Sequence, residues 1–530
     1  MGISISMLVS KAVPPEQWEA VYYEALELAR NMELACIVKK DIHGQGVYCL
    51  APVEEESEDG KTYWNVCSDL NTLESAEWYS TPKVLCECPV KDDLDIIIHR
   101  ALDRELISAE GVGDVTRHLW GDKTQGHFYH LGMLAIGSLF QERLGNHAFV
   151  YGDINAGQCR RAVEMANKYL KDPIRVPCQA ELGRWIERVS ALPLPETDRV
   201  RIAFDMFIGA KKAEFGNAMR AAFSPVSITE YWRQAFDGYD MNVVGYASVL
   251  KSYLSMGFGI RELCGIVSFT SSKGEDQREM FIRSLLDSKM HWEEKDCSDW
   301  MVQDPDDPAL YGVEALFVRV FAIGARNKKV DRYIPIEELR DMLKEEVRDF
   351  DVDAVIDDYL ANESSMEDRS ADVNRVMNHA RDDLGKRADE YDIPIAEYLP
   401  DYVAGGTLAP DVEKLIRGIM EFWHTTVCQS DDYKHIMAMP HDEKLGWLAY
   451  QSRHFPSLTA EEWQRIMESA DSGLERYCGL FCIKLNSSSI TEAVRALAIN
   501  DALYEYGMGL IEKGDRTDDG AGIAEGGTQG

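Results

Sequence analysis

The sequence predicts an N-terminal α+β module followed by a predominantly α-helical, multi-domain body with no transmembrane segment. Short runs of alternating apolar residues, the period of a strand, occur in the first ninety positions, whereas apolar residues recur at helical spacings of three and four afterwards. The 530 residues also exceed the roughly 250 to 300 at which a single hydrophobic core stops growing, so several domains are expected.

The first predicted domain is a small α+β domain at residues 1–90. A strand at 3–10 is followed by a proline pair and by a helical pattern that runs to Ala29. The acidic stretch 54–60 ends in glycine and predicts a solvated hairpin loop between two strands. Further short strands are predicted at 34–39, 46–51 and 62–67.

Helical periodicity dominates from residue 90 onward and is clearest at 93–107, 199–223 and 411–427. Two proline-rich segments, 193–198 and 304–308, interrupt it and serve as boundaries, because proline cannot continue a helix. The remaining predicted parts are a helical region with one strand-turn-helix at 91–192, a helical domain at 193–303, an acidic helical segment at 309–405, a C-terminal helical domain at 406–513 and a disordered tail at 514–530.

Charge is the strongest signal for function. Ninety-one Asp and Glu against 56 Lys and Arg give a formal charge of -35, and residues 336–400 hold 20 of the acidic residues against 8 basic ones. A negative surface repels phosphate backbones and anionic lipids, so we expect neither nucleic-acid nor membrane binding. The charge predicts an interaction or regulatory protein that binds a basic protein partner, with mimicry of nucleic acid as a special version if carboxylates share one face.

A cytoplasmic location is expected. The N-terminus lacks a basic stretch followed by an apolar run, and no window reaches the ~18 to 20 apolar residues of a membrane span. Twelve cysteines are too few for a disulfide scaffold and are typical of buried free thiols in a reducing compartment. The first six residues also fit the loose myristoylation pattern, although alternation over Ile3, Ile5, Met7 and Val9 predicts a strand there.

The clearest local pattern is an apolar strand from 148 that turns at Gly152 into a helix. Free N–H groups at a helix start attract phosphate or carboxylate, and nearby arginines supply counter-charge. The segment is neither a G-x-G-x-x-G fingerprint nor a P-loop, and a cap on the helix explains the same residues. The candidate anion-binding residues are Asp153, Asn155, Gly157, Arg160 and Arg161.

His127 and His130 are the candidate acid and base, because imidazole has an ordinary pKa of ~6.5 and the i, i+3 spacing favours one side of a helical turn. Together with Cys86 and Cys88 they offer four zinc ligands, but the C-x-C spacing and the long interval do not match known zinc sites. The alternative is packed histidines beside ordinary thiols. The sequence therefore predicts no metal and no cofactor.

Two classes of function stay open. The first is the acidic interaction protein, and the second is an enzyme on a small anionic substrate with its anion pocket near residues 152–161. Signatures of serine hydrolases, zinc proteases and P-loops are missing from the sequence, and 349–353 begins like a calcium loop without its glycine and glutamate. Catalysis, the identity of the partner or substrate, and the oligomeric state are not determined by the sequence.

Overall fold

A computed structural model of the chain describes residues 3–42, 44–87, 90–92, 94–108, 115–271, 273–292, 329–330, 332–363, 399, 402–452, 458–483 and 488–518. A sheet-rich N-terminal region is followed by many helices, which confirms the predicted order of the two kinds of structure. None of the helices in these residues combines the length and the apolar character needed to cross a bilayer.

Eight strands are described, and seven of them lie before residue 121. The predicted strands at 34–39, 46–51 and 62–67 are each found and are longer than predicted. The strands are β1 (Ile5–Ser10), β2 (Leu34–Ile42), β3 (Gln45–Pro52), β4 (Glu56–Glu58), β5 (Lys61–Asp69), β6 (Ser75–Pro82), β7 (Thr116–Trp120) and β8 (Ala148–Gly152).

The helices up to residue 363 are α1 (Pro15–Asn31), α2 (Ile96–Asp103), α3 (Tyr129–Leu144), α4 (Ala156–Ala166), α5 (Leu182–Ser190), α6 (Glu196–Met206), α7 (Ala213–Ala222), α8 (Pro225–Asp237), α9 (Val244–Ser255), α10 (Ile260–Ile266), α11 (Arg278–Leu286), α12 (Ile336–Glu346) and α13 (352–363). The later helices are α14 (Pro410–Phe422), α15 (Asp431–Met437), α16 (His441–Gln451), α17 (Ala460–Glu468), α18 (Asp471–Phe481), α19 (Ser488–Ile499) and α20 (Asp501–Asp518), and a π-helical turn, Trp423–Val427, continues α14.

The chain forms two compact units. The first comprises Met1–Leu28, Lys83–Gly126 and His130–Arg387, and the second comprises Ala29–Pro82, His127–Tyr129 and Ala388–Gly530. Residues 1–90 therefore contribute strands to both units. The predicted boundaries at 90, 192, 303, 405 and 513 stay predictions.

The first unit is built on a three-stranded antiparallel sheet with the order β7-β1-β8. On one face, the ring of Phe140 from α3 lies 5.3 Å from the ring of Trp18 and 5.7 Å from that of Trp120. On the other face, Leu8 and Phe149 join a core of apolar residues that extends through α2 and the helices up to α13. Both faces of this small sheet are therefore covered.

Two glutamine side chains form hydrogen bonds with the main chain of Val150 on β8. The side chain of Gln141 accepts a hydrogen bond from the Val150 N–H (3.0 Å), and Gln179 donates to the Val150 carbonyl (2.7 Å). The two amides also bond to each other (2.8 Å), so this buried polar pair leaves the strand edge without an unpaired group at Val150. The pair fixes β8, and with it the turn that follows.

The predicted helical window at 199–223 is divided into α6 and α7, which corrects that expectation. The backbone leaves the helix at Phe207, whose ring packs on Gly209 and stacks on Phe215 at 4.9 Å. The apolar period continues across the break because both helices bury the same kind of residue, so periodicity alone does not reveal it.

The second unit contains a five-stranded antiparallel sheet in which β3, β2, β5 and β4 are neighbours and β6 also pairs with β5. A hairpin is present at the predicted place, between β4 and β5, but its loop is shorter than the predicted 54–60. Glu56–Glu58 form β4, and only Asp59 and Gly60, both with positive φ angles, make the turn. Residues of the β2-β3 hairpin share a core with α14 to α20.

Several predictions concern residues outside the described ranges. These are the myristoylation pattern at its Met1 and Gly2, the boundary at 304–308, Cys88, and the acidic residues at 364–398. The last helix, α20, includes the first five residues of the predicted tail at 514–530, and 519–530 lie outside the described residues.

Candidate functional site

The predicted strand-turn-helix is present, and its turn is held by contacts within the first unit. Gly152 has a φ of 134°, and a Cβ atom there would lie 2.5 Å from the Ser4 carbonyl oxygen, so the position requires glycine. The Asp153 carboxylate accepts hydrogen bonds from the Ser4 N–H (2.9 Å) and the Ser4 hydroxyl (3.0 Å). Asp153 therefore fastens the turn to Ser4, the residue directly before β1.

Asn155 caps α4 in a capping box. Its side chain accepts from the Gln158 N–H (2.8 Å), and the Gln158 side chain accepts from the Asn155 N–H (3.0 Å). Gly157 is buried in the first turn, Arg160 is exposed and Arg161 is half-buried. Two of the N–H groups that an anion would use thus already have partners, and these contacts match the cap interpretation of the sequence.

The two candidate histidines have separate partners. His130 is buried, its Nδ1 lies 2.7 Å from the Thr124 hydroxyl, and burial lowers its pKa from 6.5 to about 4 despite the opposing charge of Asp153. With this pKa, His130 is neutral at physiological pH. His127 precedes α3, and its Nδ1 lies 2.8 Å from a carboxylate oxygen of Glu74.

The thiol of Cys86 donates to the Lys11 carbonyl at 3.5 Å. Throughout the described part of the chain, no three His, Cys, Asp or Glu side chains come together as metal ligands. The calcium-like run at 349–353 is used differently: Asp351 accepts from the Ala354 N–H (3.0 Å), and Asp353 forms ion pairs.

An acidic helical pair, α12 and α13, contributes many exposed carboxylates to the first unit. Residues 336–363 contain eleven Asp and Glu against three Lys and Arg. Arg340 lies between the helices and pairs with Asp353 and Asp357, both at 2.8 Å, while Lys344 also pairs with Asp353 at 2.8 Å. Two of the three cations are thus occupied by carboxylates of the pair itself.

Four exposed carboxylates of this segment form no ion pair with any described residue: Glu338, Asp341, Asp349 and Asp351. Glu338 and Asp341 are three apart on α12 and therefore share one helix face. Glu345 lies a further turn along and pairs with Arg261 on the surface. We call Glu338, Asp341 and Glu345 the acidic stripe.

A buried polar network anchors α13. The carboxylate of Glu363 accepts from the Lys289 ammonium (2.9 Å) and the Trp292 indole (3.1 Å) and lies 3.1 Å from His291 Nε2. Lys289 is 5% exposed and also donates to the Tyr359 hydroxyl (3.2 Å). The network fixes the helix that packs behind the acidic stripe.

One polar cluster on the three-stranded sheet was missed by sequence reasoning. The Tyr151 hydroxyl lies 3.0 Å from His118 Nδ1 and is hydrogen-bonded by Ser6, the residue opposite it on β1. His118 Nε2 lies 3.4 Å from Asp103, and the Arg100 guanidinium covers the Tyr151 ring at 3.6 Å. Four separate elements supply these groups, so no local spacing could have indicated them.

The second unit contains an open cleft of about 480 Å³ between α17, α18 and the start of α20. Its two arginines, Arg465 and Arg476, both bond to Asp501, and the Arg476 guanidinium lies 4.7 Å from the Tyr504 ring centre. The cationic groups of the cleft are therefore already paired with a carboxylate.

No family model matches the sequence, and comparison with curated proteins and with solved structures finds no similar chain. The function of the chain is therefore inferred from the contacts within each of its two units.

Proposed function

We propose that the protein binds a basic segment of a protein partner and that the acidic stripe on α12 is the contact surface. The supporting observation is that Glu338 and Asp341 are exposed on one face of a helix whose internal cations are occupied elsewhere. Unlike Glu345, which pairs with Arg261, these two carboxylates have no internal cation and are available to lysine or arginine of a partner. The excess of negative charge accelerates their encounter.

The expected strength is modest and depends on salt. An exposed ion pair contributes about 0.2 to 1 kcal/mol, so two pairs at the stripe contribute about 0.4 to 2 kcal/mol, or roughly twofold to thirtyfold in affinity. Salt screens exposed charges over about 8 Å at physiological ionic strength, so the affinity should fall as salt increases.

The test is a double variant, Glu338→Gln with Asp341→Asn, measured against its parent. The probe is a fluorescent helical peptide with lysines three, four and seven positions apart, and the readout is fluorescence anisotropy at two salt concentrations. The variant should bind the peptide more weakly by roughly twofold to thirtyfold at low salt, with a smaller difference at high salt.

The matched control is Glu16→Gln with Glu19→Gln on α1, since these carboxylates are also exposed, three apart and near a helix start. Both double variants change the net charge by the same amount. Equal weakening in the two would show that only overall charge matters and would reject the stripe as the contact surface.

The proposal also covers the domain organisation and the cellular location of the protein. We infer a cytoplasmic, multi-domain regulatory protein without nucleic-acid or membrane ligands. The free state of every cysteine in the described ranges supports a reducing compartment. The alternative, an enzyme with an anion pocket near 152–161, has no such support, because Asn155 caps that helix and His130 is buried and neutral.

A further inference from the structure

Three basic residues of the first unit are neighbours, because the charge of Arg104 acts on both Arg100 and Lys211. Arg100 and Arg104 lie one turn apart at the end of α2, and Lys211 lies in the loop between α6 and α7. We call them the cationic cluster. Although acidic residues greatly outnumber basic ones, none of the three forms an ion pair with a described residue.

The neighbouring acidic groups have other partners. Asp103 lies 3.4 Å from His118, and Asp205 accepts a hydrogen bond from the Tyr231 hydroxyl (2.8 Å). Arg104 donates to the backbone carbonyl of Asp205 (3.2 Å) rather than to its carboxylate. The carboxylates closest to the cluster therefore do not form hydrogen-bonded pairs with its cations.

The electrostatic environment of the cluster agrees with this geometry. Burial lowers the pKa of Lys211, and among its neighbours Asp205 raises the pKa whereas Arg104 lowers it. Burial also lowers the pKa of Arg100, which Tyr151 and Asp103 raise and Arg104 lowers. The exposed Arg104 is thus a like-charged neighbour of both half-buried cations, and an external anion offsets that repulsion.

We propose that Arg100, Arg104 and Lys211 bind a small doubly charged oxyanion of the phosphate monoester class. A guanidinium presents parallel N–H donors that match phosphate oxygens, and an ammonium adds a point charge. The Tyr151 ring holds the Arg100 guanidinium in place at 3.6 Å, and His118 in turn lies 3.0 Å from the Tyr151 hydroxyl and 3.4 Å from Asp103. The site is distinct from the acidic stripe and from the turn at 152–161.

The first test is calorimetric titration of the full chain with inorganic phosphate and with glycerol phosphate. Lys211→Gln should weaken saturable binding about tenfold, because one hydrogen bond to a charged group is lost. The control is Lys212→Gln, which removes the same charge from the exposed neighbouring residue and should leave binding within about twofold. Thermal unfolding of both variants checks that the fold is retained.

A second readout needs no variant. Because its pKa is lowered, Lys211 should acylate faster than an ordinary lysine in trace labelling with acetic anhydride near pH 8, and phosphate should protect Lys211 but not Lys212. Equal effects of the two lysine variants, equal protection of the two lysines, or a lack of saturable binding would each overturn the proposal. Binding of glycerol phosphate but not inorganic phosphate would keep the site and show that it requires the ester.

Discussion

Replacing Glu363 with glutamine should strongly destabilise α13. The carboxylate has three donors around it, and one of them is the Lys289 ammonium, which is buried at 5% exposure. Glutamine keeps the shape but removes the charge that balances Lys289. A buried cation without its partner commonly costs about 3 to 5 kcal/mol.

The pKa of Glu363 gives a second measure of the same interaction. Burial alone would raise it, but the hydrogen bonds from His291 and Lys289 outweigh burial and lower the pKa from 4.5 to about 2. A difference of this size corresponds to about 3 kcal/mol. Because the folded pKa is lower than the unfolded one, this stabilisation is complete above pH 4.5 and is lost as the pH falls through about 2.

The assay is hydrogen exchange of the α13 amides in Glu363→Gln and in the parent. About 3 kcal/mol corresponds to roughly a hundredfold faster exchange at pH 7, and the ratio should shrink as the pH approaches 2. Asp357→Asn on the same helix is the control, because Asp357 is 67% exposed and its pair with Arg340 is worth about 0 to 1 kcal/mol. Equal exchange in the two variants, or a ratio that does not change with pH, would refute the reasoning.

Three further predictions concern the turn and its surroundings. Asn155→Ala should lower the free energy of unfolding by about 1 kcal/mol and raise amide exchange in α4 roughly fivefold, whereas Arg160→Ala should change that free energy by less than about 0.5 kcal/mol. Neither variant should alter phosphate binding measured by calorimetry. His130 has a pKa lowered to about 4, so its contribution is complete above pH 6.5 and is lost as the pH falls through about 4; the melting temperature of the parent should fall more than that of His130→Gln across this range. Gly152→Ala should cost more than about 1 kcal/mol in urea unfolding, because its φ is 134° and a main-chain oxygen would be 2.5 Å away, whereas Gly183→Ala, at an open helical position, should stabilise by about 0.5 kcal/mol.

The sequence predicts the local elements of this fold well and their partners poorly. The strand at 3–10 is visible in its alternation, but its neighbours β7 and β8 lie more than a hundred residues away. Alternation states which residues face a core and does not state which strand is adjacent. The division of 199–223 was hidden for a similar reason, since Phe207 leaves the helix to make a packing contact that depends on Phe215.

The candidate site residues show the same difference between local patterns, which the sequence reveals, and tertiary contacts, which it does not. The cap at Asn155 could be anticipated because a capping box is a local pattern, with Gln158 three residues later. The histidine pair could not be judged, because its i, i+3 argument assumes one continuous helix, whereas α3 begins at Tyr129, between His127 and His130. The cationic cluster combines α2 with a distant loop, and only tertiary structure brings such groups together.

The net charge of -35 limits the partners of this protein less than it first suggests. Exposed charges are screened over about 8 Å at physiological salt, so a small anion at Arg100 responds to Arg104 and the few groups beside it rather than to the whole chain. An extended polyanion such as DNA is many screening lengths long, so it interacts with a large part of the protein surface. The average charge of that surface is negative and repels it. The two proposals, a basic segment at the acidic stripe and a phosphate monoester at the cationic cluster, are therefore compatible with each other and with the expectation that the chain does not bind nucleic acid.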